Sequence, residues 1–181
     1  MTVTALDEDL TAEEVLDWAP RILGTTASRL TSLATTVPDE LLRRRPLAGE
    51  WSAYEVLHHL VDTERLVFPV RIRAILAGAT TIEDIDLNDV EWDEGQSAGQ
   101  IVRVFAGLRA DTLGLLAELT PADLGRTVTH SAYGEVSLGQ MLHYFPAHDL
   151  THLIQIERAV MQPFLPGTGP WADNVADMRM R

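Results

Sequence analysis

At 181 residues, with 46% hydrophobic and 23% charged residues, the chain has an ordinary globular composition and is long enough to bury one core. We therefore predict a single domain over residues 1–181. The absence of cysteine excludes disulfides, a thiolate nucleophile and sulfur ligands for a metal. A net charge of −13 argues against a nucleic-acid partner. We see neither a signal peptide nor an apolar run of the roughly 18 residues that span a membrane, so we expect a cytoplasmic protein without membrane association.

The negative charge is concentrated in two places. Residues 1–14 carry five acids and no base, and residues 83–94 carry seven acids and no base. The rest of the chain is nearly neutral, with fifteen acids against fourteen bases. The sequence therefore predicts an acidic N-terminal segment and an acidic loop, both exposed to solvent. We expect the loop to be a disordered connection, with a lid over a site as the alternative.

The hydrophobic periodicity is helical almost throughout and predicts four long helices. A capping-box pattern at Thr11 predicts a short lead-in helix, and a second capping box at Ser52 opens the second long helix. The four helices are expected over residues 20–37, 52–78, 97–119 and 137–162. Residues 126–136 are expected to be extended or turn-like, and residues 163–181 to form an irregular tail. The sequence thus predicts an all-α four-helix bundle with long crossover connections.

Prolines inside two of these helices complicate the prediction. Pro69 and Pro146 each remove a backbone hydrogen bond and are expected to bend the helix axis. A bend at Pro146 would help to aim His148, two residues later. The alternative is that the last helix begins near Pro146.

The six histidines can be assigned to helix faces, because successive helical residues turn by about 100°. On the fourth helix, His148 and His152 share a buried arc, whereas His143 lies on the opposite side. On the second helix, His59 lies at the edge of the buried stripe, and His58 falls in a polar arc. The inward candidates are therefore His59, His148 and His152.

These three histidines are either core residues with ordinary hydrogen-bond partners or metal ligands. Two neutral imidazoles side by side on an apolar helix face satisfy each other's hydrogen-bonding groups poorly. A third imidazole that faces the same bundle centre therefore favours a metal site. Three imidazoles can hold Zn²⁺ or a similar divalent ion and leave one coordination position open, as catalytic sites do.

Two other metal motifs fit less well. The run HDLTH at residues 148–152 resembles the HExxH pattern of zinc proteases, but Asp149 is shorter than the usual glutamate and no third ligand follows downstream. Glu55 and His58 form a single ExxH, whereas di-iron bundles need two such motifs and further glutamates.

Two stretches resemble the DinB-like/YfiT-like metal-dependent superfamily. In the first, a Trp-Ser start is followed eight residues after the tryptophan by His59. In the second, an HDxxHxxQI pattern supplies His148 and His152, with Gln155 in the expected place. These stretches are WSAYEVLHHLVDTE from Trp51 and YGEVSLGQMLHYFPAHDLTHLIQI from Tyr133.

The resemblance covers about residues 20–162 and implies a four-helix bundle with a three-histidine site for Zn²⁺, Ni²⁺ or a similar ion, often in a homodimer. Relatives in this family include S-transferases and a maleylpyruvate isomerase that use low-molecular-weight thiols such as mycothiol or bacillithiol, and metal-dependent hydrolases. The resemblance favours thiol-dependent transfer to a small-molecule substrate, with hydrolysis as the alternative. A non-catalytic dimerisation or binding module that keeps the fold is the third reading.

Four further residues are candidates for the site. Asp149 and Gln155 could orient an imidazole from behind, with a solvated position as the alternative for Asp149. Asp149 is also the candidate catalytic residue. Arg71 and Tyr144 could line a pocket, although the sequence does not separate this role from packing or surface positions.

Overall fold

The computed structural model describes residues 10–87 and 90–180. Six α-helices are present in this part of the chain: α1 (Ala12–Thr36), α2 (Asp39–Leu42), α3 (Ala53–Asp62), α4 (Phe68–Leu76), α5 (Ala98–Leu116) and α6 (Leu138–Met161). The strands are β1 (Thr81–Ile82), β2 (Thr127–His130) and β3 (Gly134–Ser137). A π-helical turn, Thr63–Val67, joins α3 to α4, and 3-10 helices span Asp123–Gly125, Gln162–Gly167 and Gly169–Met178.

The architecture is a four-helix bundle, as the sequence predicts. The helix α1 packs against α5 and α6, and α3 packs against the same two helices from the other side. Consequently α1 and α3 face each other across the bundle, and the connection between them must cross it. No helix in the described part of the chain is both long enough and apolar enough to span a membrane.

The first helix is longer than predicted. The capping box at Thr11 is present, but α1 runs without interruption through Pro20 instead of starting anew there. Val15, Ala19 and Leu23 are buried on one continuous stripe. Burial of this stripe explains why the helix tolerates the hydrogen bond that Pro20 removes.

The second long helix contains an irregularity that the sequence prediction missed. The π-helical turn Thr63–Val67 accommodates one extra residue, and Pro69 then lies in the first turn of α4, where its missing N–H is least costly. The extra residue shifts the helical phase. Val70, which uninterrupted helical periodicity would place in the buried stripe, is 47% exposed, whereas Phe68 and Ile72 are in the core.

The fourth helix agrees with its predicted bounds to within one residue at each end. It begins at a capping box formed by Ser137 and Gln140 and continues through Pro146, so the alternative start at Pro146 is wrong. The residues before it form a small sheet in the order β1-β2-β3, with β1 parallel to β2 and β2 antiparallel to β3. This sheet lies at one end of the bundle, where it contributes to the cavity described below.

The acidic segments differ from their prediction in part. Residues 1–9, which hold most of the acidic N-terminal segment, and residues 88 and 89 of the acidic loop lie outside the described residues. In the rest of the loop, the indole of Trp92 packs on the bundle and stacks on the His58 ring, with 4.9 Å between ring centroids. A wholly disordered connection is therefore the wrong description, because this aromatic side chain gains buried contacts.

The C-terminal tail is more regular than predicted. It forms two consecutive 3-10 helices, Gln162–Gly167 and Gly169–Met178. The amide of Gln162 holds the tail against the end of α6: Nε2 donates to the Met178 carbonyl at 3.0 Å, and Oε1 accepts from the Met180 N–H at 3.0 Å.

Candidate metal centre

The bundle brings the three predicted histidines together. His59 comes from α3, and His148 and His152 lie one turn apart on the same face of α6. One ligand atom from each residue lies within 4.8 Å of the other two. The Nε2 atoms of His59 and His148 are 3.3 Å apart. His148 is buried, and the other two are partly buried.

The donor set fits a divalent ion of the zinc type. Two nitrogens bound tetrahedrally to Zn²⁺ at about 2.0–2.1 Å would lie about 3.3 Å from each other, which is the spacing of the His59 and His148 nitrogens. Neutral imidazoles are the ligands that suit Zn²⁺, Ni²⁺ and similar ions, and three of them leave a further position open.

A hydrogen-bond partner behind His152 turns the ligand nitrogen of that ring inward, and a carboxylate lies near the outer nitrogen of His148. His152 Nδ1 lies 2.8 Å from the Gln155 side-chain oxygen, which can only accept, so Nδ1 carries the hydrogen and Nε2 keeps its lone pair. His148 Nδ1 lies 3.9 Å from Asp149 Oδ1, which is too long for a hydrogen bond, and this buried atom has no partner among the described residues. A modest movement of the ring would bring the two together.

The surroundings keep two of the imidazoles, His59 and His152, neutral and available as ligands. Burial, together with the neighbouring His152 and His148, lowers the pKa of His59 to about 3. Burial also lowers the pKa of His152, an effect that His148 reinforces and that Gln155 and Asp149 oppose. Both rings therefore have free lone pairs at neutral pH.

Directly behind the histidines lies a buried ionic network that the sequence analysis missed. Arg109 of α5 donates to Asp149 through both terminal nitrogens, at 2.6 and 3.2 Å, and to Glu64 at 2.8 Å. It also donates to the Leu23 carbonyl of α1 at 2.9 Å, so one guanidinium connects all four long helices. All three charged residues are 1% exposed.

The network shows that Asp149 lies in the interior of the bundle. Burial opposes ionisation of Asp149, but the neighbouring His148 ring and the hydrogen bonds from Arg109 outweigh this effect, so the pKa of Asp149 lies below the ordinary value. The solvated alternative is wrong. Asp149 does not line the cavity in front of the histidines.

A cavity of about 620 Å³ opens in front of His59 and His148. Its walls are largely apolar and include Phe68, Val136 and Met141. Arg71 and Tyr144, the two residues named from the sequence as pocket candidates, both line it. The start of the acidic loop borders it at Asp84, Ile85 and Leu87.

The sequence analysis misplaced one histidine and overlooked another. His58 is buried rather than exposed, because Trp92 covers it and donates to the adjacent Asp62 at 2.7 Å. His130, not singled out from the sequence, is 4% exposed and lines the cavity. The alternation along β2 could have revealed it, since His130 follows the buried Val128 by two residues. His143 is exposed, as predicted.

Fold and site together define a helical-bundle protein whose centre carries a candidate three-histidine metal site. The chain belongs to the DinB superfamily, whose family model matches residues 22–156. A relative from Oceanobacillus iheyensis named "putative metal-dependent hydrolase" is 22% identical over 84% of this chain and 89% of its own length. A second protein of the same description, from Geobacillus kaustophilus, is 27% identical over 80% of this chain and 83% of its own length.

A solved structure shares the fold. YfiT from Bacillus subtilis superposes with a TM-score of 0.75 at 18% identity, covering 90% of this chain and 95% of YfiT. That protein is described as "a probable metal-dependent hydrolase with an unusual four-helix bundle topology". The family resemblance and the bundle fold predicted from the sequence are thereby confirmed.

Proposed function

We propose that this protein is a divalent-metal-dependent hydrolase whose ion is held by His59, His148 and His152. The observation that carries the proposal is the convergence of three imidazoles beside an open cavity. The names of the two relatives support hydrolysis as the reaction class. Zn²⁺ and Ni²⁺ are the ions that best suit this donor set.

A bound divalent ion with an open position would supply Lewis acidity, lowering the pKa of a water or thiol that would attack the substrate. Residues around the site orient the imidazoles that would bind the ion. Gln155 fixes the tautomer of His152, and Asp149, itself held by Arg109, faces the outer nitrogen of His148. The apolar walls at Phe68, Val136 and Met141 exclude water around the small-molecule substrate. We propose a positioning role for Asp149 in place of a catalytic one.

Thiol-dependent S-transfer, which the sequence analysis favours over hydrolysis, stays a prediction, as does the homodimer. The same metal site could activate a small thiol instead of water. A requirement for a thiol in the assay distinguishes S-transfer from hydrolysis. A non-catalytic module would catalyse neither reaction.

The first experiment is the metal content of protein purified without a polyhistidine tag, measured by mass spectrometry. We expect about one divalent ion per chain in the wild type and its loss in His59→Ala, His148→Ala and His152→Ala. His143→Ala is the matched control, because His143 is exposed on the same helix as two of the ligands. A wild type that neither contains nor takes up Zn²⁺ or Ni²⁺ would contradict the proposal.

The second experiment compares metal-loaded and metal-stripped protein on a panel of ester and amide substrates, with and without a low-molecular-weight thiol. Turnover that requires metal but no thiol supports the hydrolase. Turnover that requires both replaces it with the transferase. Stoichiometric metal without either activity would favour the binding module.

A further inference from the structure

Two nitrogen atoms in the cavity wall are buried without a hydrogen-bond partner among the described residues. They are Nε of Arg71, from α4, and Nε2 of His130, from β2. Both residues line the cavity that also contains His59 and His148. Buried polar groups in folded proteins nearly always have partners, so two orphaned atoms in one cavity point to a ligand.

Both atoms are hydrogen-bond donors. The guanidinium of Arg71 can only donate. For His130, the backbone N–H of Ala132 donates to Nδ1 at 3.1 Å, so Nδ1 is the unprotonated nitrogen. In the neutral ring the hydrogen must then be on Nε2. The cavity wall therefore presents two N–H groups that lack an acceptor.

The chain itself indicates which acceptor fits between them. Asp84 Oδ1 lies 3.7 Å from Nη2 of Arg71, the nitrogen next to the unpaired Nε, and 3.9 Å from His130 Nε2. These distances are too long for hydrogen bonds. The Asp84 side chain is also 60% exposed, so it leaves both donors unsatisfied. A carboxylate group has two oxygens, so one bound deeper in the cavity than Asp84 could accept from both residues.

The surrounding backbone holds the donors in place. Arg71 Nη2 donates to the Glu83 carbonyl at 2.8 Å, which fixes the guanidinium plane. The Asp84 N–H donates to the Ser131 hydroxyl at 2.8 Å, which ties the start of the acidic loop to the β2–β3 turn. Contacts with the backbone therefore hold the two donors in fixed positions in the cavity wall, unlike freely rotating surface side chains.

We infer that Arg71 and His130 form a subsite for a carboxylate group of the substrate, whose reactive group lies at the three histidines. This inference rests on the proposed function and names its substrate class as acidic small molecules. Asp84 and Glu135 also line the cavity. Because the Asp84 side chain is largely exposed, it can turn toward solvent when the substrate carboxylate binds.

The direct test uses metal-free protein and does not depend on catalysis. The Arg71 Nε–H and the His130 ring are followed by NMR during titration with glutarate, with the neutral glutaramide as the matched compound. We expect saturable shifts at Arg71 and His130 with glutarate only, and none at Arg73, which is exposed on the same helix. Shifts that are absent, or equal for both compounds, would overturn the inference.

Three variants sharpen the test. Arg71→Gln and His130→Phe should each weaken glutarate binding about tenfold, because each removes a charge-assisted or buried donor. Asp84→Asn should strengthen it, because repulsion is removed from an exposed position where folding is not at risk. An Asp84→Asn variant that binds glutarate no better than the wild type would contradict the arrangement even if the two buried variants fail to fold.

A final titration connects the subsite to the metal centre. In metal-loaded protein, succinyl, glutaryl and adipyl monohydroxamates are compared with alkyl hydroxamates of matched length. At least one carboxylated compound should bind about tenfold more tightly than its alkyl partner, and Arg71→Gln should abolish this difference. Equal binding of both series at an intact metal site would overturn the subsite alone. If the wild-type protein binds no divalent metal but still shows the NMR shifts with glutarate, the metal-dependent function is contradicted and the carboxylate subsite is still supported.

Discussion

Arg109 and Asp149 form an ion pair of 2.6 Å at the centre of the bundle, immediately behind His148. The pair joins α5 to α6, and through Glu64 and the Leu23 carbonyl the same guanidinium also reaches the other two long helices. Asp149 therefore faces the candidate metal centre on one side and the cation that holds the bundle together on the other.

The Arg109 network should be essential for stability. Replacing Arg109 by leucine leaves two buried carboxylates without a cation, which we expect to lower the free energy of unfolding by about 3–5 kcal/mol. Arg103→Leu, at an exposed position of the same helix, should change it little. Urea denaturation of metal-free protein measures both.

A rescue experiment separates charge from packing at this position. Adding Glu64→Gln and Asp149→Asn to Arg109→Met removes the unpaired charges and should recover part of the lost stability. If the triple variant is no more stable than Arg109→Met alone, the loss comes from packing and the electrostatic account is wrong.

Gln155 should tune the affinity of the metal centre. Gln155→Leu removes the acceptor that orients His152, and we expect the affinity for Zn²⁺ to fall about 10- to 100-fold. Gln155→Glu keeps an acceptor and should retain binding. The measurement is a competition titration with a chromophoric chelator, with the exposed Glu157→Gln as control. Unchanged affinity in Gln155→Leu would show that the imidazole is oriented by other contacts.

Metal should stabilise the folded chain. Adding Zn²⁺ or Ni²⁺ to stripped protein at about 100 times its dissociation constant should add about 2.7 kcal/mol and raise the Tm. Mg²⁺, which prefers oxygen ligands, should have no such effect. The increase should disappear in His152→Ala. A Tm that rises equally in that variant would place the metal elsewhere.

Trp92 should determine how the acidic loop is held. Trp92→Ala removes the ring that stacks on His58 and leaves the buried Asp62 without its donor, which we expect to cost about 1–3 kcal/mol. Hydrogen exchange around residues 90–96 should accelerate. Trp171→Ala, at a position that is 68% exposed, is the control. Similar exchange in both variants would mean that other contacts hold the loop.

The sequence was sufficient for the bundle and for the choice of His59 over His58, because periodicity and helical faces depend on local geometry that the bundle preserves. The sequence was insufficient to predict the burial of Arg109, because a charged residue beside an apolar stripe is normally expected to be exposed unless its partners are known. Glu64 and Asp149 come from distant parts of the chain, so their pairing is visible only in three dimensions. His58 was misplaced for a similar reason, because its cover, Trp92, comes from a loop that composition alone describes as exposed.

The π-helical turn Thr63–Val67 also determines which side chains of the second long helix face the cavity. Arg71 follows His59 by twelve positions, which in an uninterrupted α-helix would place the two side chains about 120° apart around the axis. Because the turn absorbs one residue, the effective separation is eleven, and the angle falls to about 20°. The histidine at the metal centre and the arginine of the cavity wall therefore face the same space. Deleting a single residue from this turn would leave regular α-helix with the same separation of eleven, so Arg71 should still face the cavity, whereas converting the turn to α-helix without a deletion would rotate Arg71 out of it.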